Sequence, residues 1–316
     1  MSGTTIERVA VIGTGVIGAS WTTYFLGRGL HVVASDPAPD AETALRRVVA
    51  AQWPAMERLG LAAGASIERL RFAASPDAAV ADVQFVQENG PERVDLKRDL
   101  FARLDAAAPA DAILATSSST ITVSEFQQAC TRNPERVVLG HPCNPPHLIP
   151  LVEVAGGRAT SPEAIERALS FYRGIGKYPI HLKKEIRGHV ANRLQAALWQ
   201  EAFHLVASGV ASVADVDAAI AYGPGLRWAL LGPFMNLHLS GGQGGIGALF
   251  EKPLWAATEG MWRDLGTVSV DTGLGRQVAD GVAAALVGRN VEDVVDQRDK
   301  ALLALLQIKA AAHRLP

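Results

Sequence analysis

Apolar residues follow two patterns that change over near Lys184. Before it, short runs rich in branched side chains recur at 9–12, 31–34, 83–86, 113–115, 137–139, 151–154 and 178–182. Runs this short with no alternating polar face predict strands buried on both sides, as in a parallel sheet. Helical composition fills 19–26 and 41–59, the latter interrupted by Pro54. Strands alternating with helices predict an α/β fold built on a doubly wound parallel sheet. Beyond Lys184 the strand pattern nearly vanishes, and 190–207, 213–221, 276–287 and 294–312 predict helices. The expected division is an α/β domain over 1–184 and an all-helical domain over 185–316. A cleft between the two would be the natural place for a substrate.

Composition narrows the function. Hydrophobic residues make up 48% of the chain and charged residues 20%, a balance that supports packed cores rather than disorder. With 30 basic and 32 acidic residues the formal net charge is −2, and no basic run breaks the mixture, which argues against a nucleic-acid partner. Residues 1–8 carry no long apolar stretch, and no apolar run reaches the roughly 20 residues of a membrane span. Two cysteines, Cys130 and Cys143, are too few for a disulfide scaffold, so a reducing cytoplasm is expected. Cys143 lies near His141 and His147, yet the spacing matches no known ligand set, and no metal is expected.

Between the first strand and first helix stands Gly13-Thr14-Gly15-Val16-Ile17-Gly18. A GxGxxG in that context predicts a Rossmann-type dinucleotide site, with the pyrophosphate held at the helix N-terminus. Gly13, Gly15, Val16, Ile17 and Gly18 are the candidate cofactor contacts. Asp36 closes the second strand at the spacing of a ribose-binding acid, and Pro37-Ala38-Pro39-Asp40 offers no arginine for a 2′-phosphate. NAD is therefore favoured over NADP.

Two further stretches carry the chemistry: Ala115-Thr116-Ser117-Ser118-Ser119-Thr120, and Gly140-His141-Pro142-Cys143-Asn144-Pro145-Pro146 running on to Leu151-Val152-Glu153-Val154. With Pro91-Glu92-Arg93-Val94-Asp95-Leu96-Lys97, Asn192-Arg193-Leu194 and Gly225-Leu226-Arg227-Trp228-Ala229, they resemble the L-3-hydroxyacyl-CoA dehydrogenase family along nearly the whole chain. The likeness is nearest to its short-substrate branch, which includes lambda-crystallin (L-gulonate 3-dehydrogenase) and L-carnitine dehydrogenase. The resemblance implies that His141 is the catalytic histidine and Glu153 the acid that orients it. It also implies that Ser119 and Asn192 surround the substrate oxygen and that Glu92 and Lys97 lie near the nicotinamide ribose. The family has Asn where Ser117 stands. A homodimer through the helical domain is likewise implied.

These roles are chemically coherent. Hydride departure requires loss of the hydroxyl proton to a base titrating near neutrality, and histidine is the usual choice. Other readings of the same residues stay open: a loop histidine before a proline turn, an edge-strand carboxylate at 153, helix caps at Ser119 and Asn192. For the substrate, no lysine precedes Lys97, while Arg46, Arg47, Arg58 and Arg69 remain to meet a CoA phosphate, so CoA is disfavoured but not excluded. Arg227 suits a carboxylate clamp and Trp228 a trimethylammonium, although an Arg–Asp pair on a helix is the plainer alternative. His238 and Gln243 are candidates for the same cleft. The expected activity is oxidation of the 3-hydroxyl of a small L-gulonate- or L-carnitine-like acid. The alternatives are a short-chain 3-hydroxyacyl-CoA (3-hydroxybutyryl-CoA) dehydrogenase and a crystallin-like structural or NAD-sensing protein. The complete set His141, Glu153, Ser119 and Asn192 speaks against the last.

Overall fold

The structure, a computed structural model, describes residues 6–312 and forms two compact units, Met1–Arg193 and Leu194–Pro316. The first unit holds one eight-stranded sheet: β1 (Arg8–Ile12), β2 (His31–Ser35), β3 (Leu70–Phe72), β4 (Phe85–Glu88), β5 (Ile113–Thr116), β6 (Val137–Pro142), β7 (Leu151–Gly156) and β8 (Tyr178–His181). The strand order is β3-β2-β1-β4-β5-β6-β7-β8, so the chain reverses its direction of growth between β1 and β4. Helices α1 (Val16–Gly27), α2 (Ala41–Leu59), α3 (Pro76–Val80), α4 (Val94–Ala107), α5 (Val123–Phe126) and α6 (Pro162–Gly174) cover it.

Burial on both faces explains the unbroken apolar runs. Along β1, Val9 and Val11 enter one core with Trp21, Phe25, Val32, Phe85 and Tyr172, while Ala10 and Ile12 enter another with Val80, Val86, Phe101, Leu104 and Phe126. Period-two alternation thus divides one strand between two layers. Flat aromatic contacts fill the first, Trp21 on Phe25 at 5.0 Å and Phe85 on Phe171 at 4.1 Å.

The sheet is parallel as expected at every pairing but one, since β6 and β7 run antiparallel. The cause is the connection, residues 143–150, which is too short for the dozen or more residues a parallel crossover needs. Its register sets His141 directly opposite Glu153.

The second unit contains helices and, among the described residues, no strand. They are α7 (Ala191–Ala207), whose first turn belongs to the first unit, α8 (Val213–Ala221), α9 (Pro224–Trp228), α10 (Pro233–Ser240), α11 (Gly245–Phe250), α12 (Pro253–Asp264), α13 (Thr272–Ala285) and α14 (Val291–Ala311). Its core is thin: Val206, Leu249, Leu274 and Leu303 are its buried large apolar side chains among the described residues. No helix of the described residues is long and apolar enough to cross a membrane.

Candidate active site

The glycine-rich turn is built by contact with the loop after β4. Gly13 has φ +85°, and a Cβ there would lie 2.8 Å from the Asn89 carbonyl oxygen; one on Gly18 would lie 1.9 Å from the Gly13 carbonyl oxygen. Gly15, in contrast, faces open space and precedes α1, whose N-terminus no side chain caps. Val16 is exposed there and Ile17 half-buried. Uncapped first-turn amides beside a side-chain-free Gly15 make a cradle for an anionic pyrophosphate. At the end of β2 the Asp36 carboxylate accepts from the amides of Thr14 (2.7 Å) and Ala38 (2.8 Å). One bond to each oxygen fixes the group and leaves each a lone pair for a ribose hydroxyl. These residues fit an adenine dinucleotide without a 2′-phosphate.

The opposite wall is the turn after β4. Glu88 is wholly buried and receives Lys97 Nζ at 2.9 Å on both oxygens, Thr116 Oγ1 at 2.5 Å and the Gly90 amide at 2.6 Å. Lys97 therefore braces the Asn89–Gly90 turn from beneath. Glu92 Oε1 accepts from Ser118 Oγ (2.7 Å) and from the Thr120 and Ile121 amides (2.6 and 3.1 Å). Burial raises the pKa of Glu92, but these bonds outweigh it and hold the carboxyl below its ordinary value. Ser117 Oγ donates to Asn89 Oδ1 at 2.7 Å and accepts from Gln87 Nε2 at 2.8 Å, tying β5 to the same turn.

His141 and Glu153 meet across the antiparallel pair, Nδ1 to Oε2 at 2.9 Å, with Glu153 wholly buried. A lone buried carboxylate would be costly. Here Oε1 accepts from the amides of Val190 (2.8 Å) and Ala191 (3.0 Å), where α7 begins. Burial raises its pKa, but the bonds from His141, Ala191 and Val190 prevail and keep it below the ordinary glutamate value. An ionised carboxylate only accepts, so His141 Nδ1 carries a hydrogen and donates, and Nε2 is the ring nitrogen left for other contacts. Ser119 Oγ lies 3.3 Å from that Nε2, and Asn192 Nδ2 donates to the Ser119 carbonyl at 3.5 Å.

The rest of the framework holds β6 in place. Gln87 Nε2 donates to the Gly140 carbonyl at 3.0 Å, and Tyr172 donates to Gln87 Oε1 at 2.6 Å. Gly140 is required because a Cβ would lie 2.0 Å from the Tyr172 hydroxyl oxygen. The 143–150 connection is fastened to α1 by the Ser20–His147 pair (2.8 Å) and to β8's edge by Lys177, which donates to the Ile149 carbonyl at 3.0 Å. Burial pushes the Cys143 thiol above its ordinary pKa and the Cys130 thiol up to about 12, which suits packed thiols rather than nucleophiles.

Thus Gly13, Gly15, Gly18, Asp36, Glu92, Lys97, Ser117, Ser119, His141, Glu153 and Asn192 all belong to the first unit. Arg227 and Trp228 lie in α9 of the second, both exposed, and the Arg227 guanidinium has no ion-pair partner among the described residues. His238 Nδ1 accepts from the Ile246 amide at 3.3 Å, and Gln243 lies in a short turn of 3₁₀ helix, Gly242–Gly244. Residue-by-residue reading of the sequence passed over Glu88, Gln87 and His189. The one available signal for His189 was Gly188-His189 immediately before a helix.

Comparison with known proteins gives a concordant picture. The profile of the 3-hydroxyacyl-CoA dehydrogenase NAD binding domain matches residues 8–186, and that of the 3-hydroxyacyl-CoA dehydrogenase C-terminal domain matches 188–284. An L-carnitine dehydrogenase of Streptomyces griseus is 48% identical over 311 residues, 98% of this chain and 91% of the relative. Among solved structures, 5-formyl-3-hydroxy-2-methylpyridine 4-carboxylic acid 5-dehydrogenase, an NAD+ dependent dismutase, has a TM-score of 0.83 at 29% identity, covering 97% of this chain and 99% of its own. The 3-hydroxybutyryl-CoA dehydrogenase of Escherichia coli has a TM-score of 0.62 at 28% identity, covering 75% of this chain and 50% of its own.

Proposed function

Because the chain belongs to the 3-hydroxyacyl-CoA dehydrogenase family, and so is an NAD-dependent oxidoreductase, we propose that it oxidises the 3-hydroxyl of a small free hydroxy acid, L-carnitine foremost and L-gulonate next. The observation that carries the chemistry is the bare His141 Nε2, held beside Ser119 by a buried, ionised Glu153. The substrate class rests on the 48% identity to an L-carnitine dehydrogenase along almost the whole chain.

NAD, held at the Gly13–Gly18 turn and Asp36, would supply the hydride acceptor for the carbinol carbon. The protein's own part is to move the proton and steady the charge. His141 takes the substrate hydroxyl proton at Nε2, and Ser119 Oγ donates to the oxygen that is losing it. The imidazolium that results keeps its Nδ1 hydrogen bond to Glu153, which stabilises the cation without itself becoming protonated. The His141 bond and the Val190 and Ala191 amides together favour the ionised form of Glu153. Asp36 binds the adenosine ribose and repels a 2′-phosphate.

The test is reduction of NAD and of NADP in the presence of L-carnitine, L-gulonate, 3-hydroxybutyrate and 3-hydroxybutyryl-CoA. Turnover of a free acid with NAD is expected. Turnover of the CoA thioester alone would replace the free-acid reading, and equal use of NADP would remove the role of Asp36.

We also propose that the helical unit pairs with a second copy. A unit that buries, among its described residues, only Val206, Leu249, Leu274 and Leu303 as large apolar side chains while leaving Trp199, Phe234 and Trp262 at 54%, 76% and 56% exposure has apolar surface to cover. Sedimentation equilibrium is expected to give a dimer mass, and a monomer at micromolar concentration would refute it.

A further inference from the structure

We propose that His189, which none of the catalytic steps above employs, is a positioning residue of the reaction: it fixes the Ser118–Ser119 turn and the amides that hold Glu153. The proposal rests on the acid–base reading of His141. Three observations carry it. His189 is buried, and its Nε2 lies 2.9 Å from the Ser118 carbonyl oxygen, so Nε2 carries the hydrogen and donates. Its ring stands 5.0 Å, centre to centre, from the ring of His141. Its backbone is left-handed, φ +52°, directly after Gly188 at φ +78°.

The last of these explains the choice of residue. Two left-handed residues in succession turn the chain sharply, and the next two amides, Val190 and Ala191, then both point at Glu153 Oε1. Histidine, with Asn and Asp, enters that conformation several times more often than other side chains bearing a Cβ. Phenylalanine would fill the same volume, but it would leave the buried Ser118 carbonyl without its donor. A single residue therefore ties the hydroxyl on one side of His141 to the carboxylate on the other.

For this role His189 has to stay neutral while His141 becomes charged. The titratable groups around it are His141 on β6, Glu153 on β7, Glu92 after β4, and Glu185, which lines the same small cavity. Burial lowers the pKa of His189 and a charged His141 lowers it further, against the Ser118 bond and the carboxylates, and the net direction is down. The buried ring of His189 therefore disfavours a second hydrogen and keeps its single one on the Ser118 carbonyl.

The experiment compares His189→Phe and His189→Gln with the wild type, using NAD and L-carnitine, or 3-hydroxybutyryl-CoA should L-carnitine be inert. Assays run well below the melting temperature of each variant. His189→Phe should lower kcat about tenfold, the scale of one lost hydrogen bond, with KM for NAD nearly unchanged. His189→Gln, whose amide nitrogen reaches the place of the imidazole Nε2 and can still donate to the Ser118 carbonyl, should recover most of it. If His189→Phe does not fold, His189→Ala takes its place in the comparison. A purely structural residue would lower the melting temperature and leave kcat of the folded protein alone. Wild-type kcat in the Phe or Ala variant, or a Gln variant as slow as either, would overturn the proposal. Failure of the underlying acid–base reading would show separately, as undiminished turnover in His141→Gln.

Discussion

Replacing His141 with glutamine is expected to lower kcat by about 10²–10⁴, the usual worth of a general base, while leaving the affinity for NAD almost unchanged. Glutamine is close to histidine in size, and the Val190 and Ala191 amides still donate to Glu153 Oε1, so the buried carboxylate is not stranded. What it loses is the basic nitrogen beside Ser119 Oγ. Loss in kcat and in kcat/KM should therefore be parallel, the mark of an interaction made in the transition state. Steady-state kinetics together with equilibrium binding of NAD separate the two effects. Near-normal turnover would take His141 out of the mechanism.

Arg227→Met is expected to raise KM for a free hydroxy acid by about tenfold to a hundredfold, because a hydrogen bond to a charged group is worth roughly 1.5–3 kcal/mol. Methionine keeps much of the side-chain length and removes only the guanidinium. The motivation is chemical: among the described residues that guanidinium has no carboxylate to neutralise it, so the helix Arg–Asp pair that the sequence also allowed is not formed. A planar, bidentate cation beside Trp228 suits a substrate carboxylate. A CoA thioester has no carboxylate at that place, and its KM should move little. Unchanged kinetics with L-carnitine and L-gulonate would remove Arg227 from substrate recognition.

The α/β framework was legible because strands buried on two faces leave unbroken apolar runs, and Val9 to Ile12 is wholly of that kind. Leu70–Phe72 was not legible: three residues at the sheet edge, with an exposed Arg71 between two apolar neighbours, carry too little pattern. The direction of β7 was hidden for another reason. Leu151-Val152-Glu153-Val154 reads identically in either orientation, and only the length of the 143–150 connection betrays it. In the site, the motif residues stood out by type and spacing. Glu88 and Lys97 differ, since the sequence offers both charges but gives no sign that they are buried against each other. His189 depends on a partner 71 positions away, which leaves no local trace, and on a left-handed backbone hinted at only by the preceding Gly188.

The cross-strand meeting of His141 and Glu153 bears on how such a protein can change over generations. The two side chains face each other because of strand register, and a slip of one residue would turn Glu153 to the far side of the sheet. Register here is pinned by burial of Val152 and Val154 on either side of Glu153, not by the residues that join the strands. Substitutions in the 143–150 connection that keep its length and its ties to Ser20 and Lys177 can therefore accumulate while His141 and Glu153 stay opposite each other. The pair is inherited with the pleat of the sheet, and the chain that joins its two strands is free to drift around it.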